Sequence, residues 1–334
     1  LKSGGWGAWS RIAFALLALL LPASTWAAPG GYSYYEIGDR SAKTPAPTAP
    51  ALMLVGGGDW DYRAFRWFAE RAGHGHIVVL RASGEGEAGE EIFNQVGGVA
   101  SVQTLVFRSR VAASDARVLD ILARADGIFI AGGDQANYVR FWKDTPVARA
   151  LDAHVRKGRP IGGTSAGLAI LGGTAYGAMD GGSIDSPEAL ADPAGPAVTL
   201  VTGFLHMPRL AHVVTDTHFA RRDRLGRLFA FVAKARQKDP KAVGLGVDEG
   251  AALCVEADGT ARLLSPPGGH GWLVQPTTRP TLQPGQPLDW TGVRVTGIGP
   301  DSVLDLDTLQ VTAPAFDGIA RVERGVLRDA PGPR

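Results

Sequence analysis

The sequence predicts an α/β protein built on a mostly parallel sheet, and three observations carry that prediction. Short apolar runs of strand length alternate with stretches of helical periodicity, and several of the runs end in paired or triple glycines. Apolar residues make up 45% and charged residues 20% of 334, which supplies ample core and excludes general disorder. In sheets of this kind functional loops sit at the carboxyl ends of the strands. Lys and Arg number 34 against 33 Asp and Glu, so a formal net charge of +1 gives no electrostatic reason to expect nucleic acid or an anionic membrane as partner.

The elements follow in order. Lys2 and Arg11 precede an apolar run over residues 12–23. Its length suits a signal-peptide core and falls short of the ~20 residues that span a bilayer. Thr25, Ala27 and Ala28 suit a signal peptidase. Residues 1–27 are therefore read as a signal peptide cleaved after Ala27, and the mature protein as secreted or periplasmic without a stable membrane anchor. Residues 28–50 are an extended lead-in ending in Thr44-Pro45-Ala46-Pro47-Thr48-Ala49-Pro50, because proline fixes φ and restricts the residue before it.

Residues 51–55 read as a strand closed by Gly56-Gly57-Gly58, followed by a helix over 62–72 and a strand over 77–80. The next strand is 102–107. Residues 115–125 are a helix, with Val118, Leu119, Ile121 and Leu122 at helical spacing. A strand over 127–131 ends at Gly132-Gly133, residues 147–156 are a helix, and Pro160-Ile161 leads into Gly162-Gly163. Residues 211–214 form a strand that meets a helix carrying Arg221, Arg222, Arg224 and Arg227. Beyond about residue 240, strands over 244–247, 251–255 and 261–264 are joined by turns such as Ala257-Asp258-Gly259. The division is a main domain over 51–265 and a β-rich C-terminal extension over 266–334. Cys254, the single cysteine, stands in an apolar setting and reads as a packed core thiol.

Gly163-Thr164-Ser165-Ala166-Gly167 lies between a strand and the apolar helix start Leu168-Ala169-Ile170-Leu171. Small residues there let the backbone turn sharply and present one hydroxyl at the top of the sheet, as in a nucleophile elbow. The Ala166 N–H, at the helix N-terminus, can point at a developing oxyanion. The plainer alternative is a glycine-rich turn with a helix-capping serine. A nucleophilic serine needs a base. His74 and His76 lie in a glycine-rich turn and read as solvated, while His206 and His212 neighbour apolar residues and read as packed. His218 stands in Thr215-Asp216-Thr217-His218-Phe219, where a strand meets the arginine-bearing helix. On a helix Arg224 and Arg227 share a face with Arg222 nearby, and a guanidinium fork matches a carboxylate. The same helix would then supply base and binding charge; a solvated arginine face is the alternative. Carboxylates that could orient the base are Asp180, Asp185, Asp248 and Glu249, the last two at a strand end.

Gly132-Gly133-Asp134-Gln135, Gly163-Thr164-Ser165-Ala166-Gly167, Asp216-Thr217-His218-Phe219 with its trailing arginines, and Gly244-Leu245-Gly246-Val247-Asp248-Glu249 occur in a telling order. Over roughly residues 50–265 the chain resembles the serine peptidases that include cyanophycinase and aspartyl dipeptidase. That resemblance implies a class I glutamine-amidotransferase-like three-layer sandwich and cleavage of cyanophycin, a poly-aspartate bearing arginine on each β-carboxylate, to β-Asp-Arg dipeptides; no His/Asp/Glu set has ligand spacing, so no metal is expected, and no cofactor either. It implies Ser165 as nucleophile, His218 as base and Glu249 as its orienter, with Gly133 and Ala166 donating oxyanion-hole N–H groups. Gln135, Asp216, Arg222, Arg224 and Arg227 match substrate-binding positions. Thr217 stands where the family usually has Gln, a departure that bears on substrate preference. The expected partner is cyanophycin or a β-aspartyl peptide, with a homodimer admitted as the assembly.

Three other readings remain: an aspartyl dipeptidase of the same family, a catalytically silent binding module, and an α/β-hydrolase-type esterase using Ser165, Asp248 and His270 in that chain order. Gly56-Gly57-Gly58 is not a phosphate loop, because no Lys-Ser/Thr follows.

Overall fold

Five parallel strands form the centre of the larger sheet, in the order Ser101–Phe107, His76–Arg81, Gly127–Ile130, Ile161–Thr164 and Leu52–Val55. The computed structural model describes residues 26–28 and 30–333, so the signal-peptide core expected at 12–23 lies outside the described residues. Four of these strands arise from the apolar runs read in the sequence, and the fifth, Ile161–Thr164, from Ile161 and the paired glycines that follow it. Successive strand side chains point to opposite faces. Leu52, Leu54, Val78, Leu80, Ile128 and Ile130 therefore enter one core, with Val118, Ile121 and Leu122 of helix Ala116–Arg124 and Leu151 of helix Pro146–Arg156. Met53, Val55, Ile77, Val79 and Phe129 enter the other, with Phe65 and Phe68 of helix Tyr62–Arg71. A sheet covered on both faces favours near-continuous apolar strands, and Leu52–Val55 and Gly127–Ile130 are of that kind, while Ser101–Phe107 also buries Ser101, Gln103 and Thr104. Asp61, Asp115 and Thr145 accept N–H groups at the starts of the three helices, with Pro146 in the first turn of the third.

The lead-in is more ordered than its prolines suggest. Tyr32–Gly38 is a strand antiparallel to Ser101–Phe107 and buries Tyr32 and Tyr34, so the irregular connector is confined to residues 39–51. Trp26–Ala28 pairs antiparallel with that strand. At the opposite edge Ala252–Val255, Thr260–Leu264, Val303–Asp305 and Gln310–Thr312 continue the sheet antiparallel. Cys254 is buried on the first of these, and burial pushes its thiol up to about 12.

A second sheet places Val213–Asp216 parallel to both Val243–Val247 and Thr174–Tyr176. Gly271–Pro276, Trp290–Ile298, Phe316–Glu323 and Val326–Arg328 extend it antiparallel. Residues 266–334 are thus β-rich, and their strands complete both sheets. Helix Leu225–Ala235 covers this second sheet, with Phe231 stacked on Tyr176 at 4.4 Å and Phe229 edge-on to Trp290.

Candidate active site

Strand Ile161–Thr164 ends against the turn that follows it. A Cβ at Gly163 would collide with the backbone of Gly167 and Leu168, and one at Gly167 with the carbonyl of Ile130. Only glycine allows so close a return. The chain passes from strand to helix Ala166–Ala169 through one residue, Ser165, held at φ 53°, a conformation few non-glycine residues adopt. The Ser165 N–H donates to the Val55 carbonyl at 3.2 Å, which ties the turn to the neighbouring strand.

His218 follows strand Val213–Asp216, also at positive φ (47°), and its N–H donates to the Gly56 carbonyl at 2.7 Å. Its Nε2 lies 2.7 Å from Ser165 Oγ and its Nδ1 2.6 Å from Glu249 Oε1. Glu249 sits just past strand Val243–Val247. Three side chains from the carboxyl ends of three strands, in two sheets, thus meet in one line. Burial holds the His218 pKa below the ordinary 6.5, with Arg222 and Arg224 adding to the effect and Glu249 opposing it. With its proton on Nδ1, a neutral ring would donate to Glu249 and turn the Nε2 lone pair to the hydroxyl. Such an arrangement can deprotonate the serine as it attacks an electrophile at neutral pH.

Gly56-Gly57-Gly58, left without a role by the sequence, frames the site. A Cβ at Gly57 would strike the His218 imidazole, and Gly58 packs on Glu249. A triple glycine at the carboxyl end of a central strand was the signal for it. Asp248, the competing orienter, is engaged elsewhere. It accepts from the N–H groups of Ala220 and His270 and from Trp272 Nε1, and burial raises its pKa despite those bonds. His270 lies 3.9 Å from Asp248 and packs on Phe316, while the Ser165 hydroxyl is bonded to His218, so Ser165, Asp248 and His270 form no relay. Asp185 caps helix Ser186–Ala191, and Asp180 is exposed. His206 and His212 are exposed rather than packed, each bonded to an aspartate (Asp152 and Asp239).

The remaining candidates separate. The helix begins at Leu225, after the short turn Ala220–Arg222 and a left-handed Asp223, so His218 and the arginines do not share a helix. Arg227 is 2% exposed and forks onto Asp216 with Nε–Oδ2 2.8 Å and Nη2–Oδ1 2.5 Å, while its Nη1 donates to Ser183 Oγ and the Ile184 carbonyl. Arg224 is buried too, donates to the Thr217 carbonyl and Oγ1, and is lowered by burial to about 10. Arg222 alone of the three is exposed. The expected cationic face is therefore not formed. A buried Asp216 needs a paired cation, and Arg227 supplies it from the covering helix. Thr217 is buried, its Oγ1 turned to Arg224. Gln135 opens helix Gln135–Trp142 and donates to the Tyr176 carbonyl at 3.1 Å. Gly132 faces Ser165, the neighbouring Gly133 has φ 145°, and Ala166 is buried in the first turn after the serine.

A cleft of about 410 Å³ opens at Ser165 and His218, lined further by Trp60, Arg81, Glu87 and Glu91. None of these four was singled out in the sequence.

Peptidase family S51 matches residues 87–263, a span that includes Ser165, His218 and Glu249. The chain is 34% identical over 224 residues to the cyanophycinase of Synechococcus elongatus, covering 64% of this chain and 65% of that protein, which is just under two thirds of its length. It is 30% identical over 246 residues to the cyanophycinase of Trichormus variabilis, covering 70% of this chain and 76% of that one. A crystal structure of a peptidase from an acI-B1 Actinobacterium matches with a TM-score of 0.50 at 16% identity, over 77% of this chain and 97% of that one. The last likeness is one of fold, and it bears out the class I glutamine-amidotransferase-like α/β architecture.

Proposed function

Because the chain belongs to peptidase family S51, we propose that it is a serine-type exopeptidase that hydrolyses cyanophycin to β-Asp-Arg dipeptides. The observation that carries the reading is the continuous Ser165–His218–Glu249 relay at 2.7 and 2.6 Å. The names of its relatives suggest the substrate. In the proposed cycle His218 Nε2 takes the hydroxyl proton as Ser165 Oγ attacks the scissile carbonyl. The N–H groups of Ala166 and Gly133 face the tetrahedral oxyanion. Collapse breaks the C–N bond, and His218 passes its proton to the leaving amine. Water then attacks the acyl-serine, gives a proton to His218, and releases the acid as the serine hydroxyl is restored. Glu249 holds Nδ1–H throughout and stabilises the transient imidazolium.

Purified protein is expected to release β-Asp-Arg from cyanophycin and to leave casein and a nitrophenyl ester nearly untouched, with products read by mass spectrometry. Rapid ester hydrolysis without action on cyanophycin would hand the site to an esterase. Activity confined to aspartyl dipeptides would keep the family and point to Thr217 as the cause. Export is part of the proposal and is supported by the apolar run over 12–23. N-terminal sequencing of the mature protein is expected to start near Ala28, and a chain that retains 12–23 would contradict it.

A further inference from the structure

The cleft beside Ser165 has a wall that the relay does not use. Arg81 ends strand His76–Arg81, and Glu87 and Glu91 stand four apart on helix Glu87–Glu91, a spacing that puts them on one face. Arg81 Nη1 donates to Glu87 Oε2 at 2.7 Å, and the Tyr62 hydroxyl donates to Glu91 Oε1 at 2.9 Å. Both carboxylates are thus anchored by one oxygen. Among the described residues, Glu87 Oε1 and Glu91 Oε2 accept no hydrogen bond. One cation against two anions leaves this wall net negative.

Trp60 lines the same cleft, its ring held by stacking on Phe65 at 4.3 Å and by an edge contact with Phe129. Two anchored carboxylates beside a fixed indole suit a planar cation with several donors. The guanidinium fork matches carboxylate oxygens, and its face stacks on an aromatic ring. A free carboxylate or phosphate would be repelled. Asp216 cannot serve this purpose, because Arg227 occupies both of its oxygens.

We propose that Glu87 and Glu91 form the subsite that recognises the guanidinium of an arginine-bearing aspartyl substrate, and so set the preference for arginine at this cleft. The proposal rests on the hydrolase reading above. It is tested with two synthetic β-aspartyl oligomers, one carrying arginine and one carrying citrulline, which keeps the shape and removes the charge. Wild type is expected to favour the arginine oligomer. In Glu87→Gln/Glu91→Gln, kcat/KM on that oligomer is expected to fall about 10- to 100-fold, the range of a lost charge-assisted hydrogen bond or two. The citrulline oligomer is expected to change less than about threefold, which also shows that the variant is folded and its serine intact. An equal loss on both oligomers, or no loss on either, overturns the subsite while the hydrolase reading stands. If wild type cleaves neither oligomer nor cyanophycin, the hydrolase reading falls and the subsite with it.

Discussion

Ser165→Ala is expected to lower kcat on cyanophycin by a factor on the order of 10⁴–10⁶ while leaving the unfolding transition in place. The substitution removes one hydroxyl at the rim of a cleft and leaves φ 53° as demanding for alanine as for serine, so the backbone has no new reason to move. His218→Ala is expected to cost about as much, and the double variant little more, because the two act as one unit. Steady-state kinetics and a thermal melt on the same preparations check both halves. Residual turnover in Ser165→Ala within about tenfold of wild type would remove the serine from the chemistry.

The second large effect falls on stability. Arg227 and Asp216 are each 2% exposed and bonded through both carboxylate oxygens. Arg227→Met removes both bonds of the fork, leaves the buried Asp216 carboxylate only the Thr217 N–H and Arg224 at 3.6 Å, and is expected to lower the unfolding free energy by about 3–5 kcal/mol, read by urea denaturation. The paired change Arg227→Met/Asp216→Leu is expected to recover only part of that loss, since it removes the stranded carboxylate but also takes from buried Arg224 the carboxylate that lies 3.6 Å away. A variant of unchanged stability but raised KM would return Arg227 to the substrate.

Most of the central strands were legible in the sequence because strands covered on both faces are largely apolar, as in Leu52–Val55 and Gly127–Ile130, while Ile161–Thr164 showed itself only through its glycines and the turn after them. Ser165 and His218 stood out because each sits at a strand end in a motif whose small or polar residues a core would not choose, whereas the residues alone left Asp180, Asp185, Asp248 and Glu249 open and only the family resemblance favoured Glu249. The burial of Arg224 and Arg227 was not legible, because helical spacing gives angular position only where the helix has begun. Asp223, at φ 46°, delays the helix to Leu225, and the buried Asp216 draws Arg227 inward. Charge on a helix face is exposed unless something buried needs it, and that partner lay on another element. Tyr32–Gly38 was hidden by the prolines of 44–50, which dominate the lead-in, although Tyr32 and Tyr34 alternate as a strand buried on one face should. Helix Glu87–Glu91 is one turn and a half long, with acidic residues facing a cleft that exists only after folding, so no periodicity announced it.

The central claim is that His218 and Glu249 activate Ser165. A serine-directed fluorophosphonate, reacted over a range of pH and followed by peptide mapping, tests it most directly. The expected adduct is on Ser165. The rate should rise with pH along a single ionisation whose midpoint lies below 6.5, because the base acts only as neutral imidazole and burial lowers its pKa. Glu249→Gln should slow the reaction and Asp248→Asn should not. An adduct on another residue, a midpoint at or above 6.5, or a rate that depends on Asp248 rather than Glu249 would contradict the account.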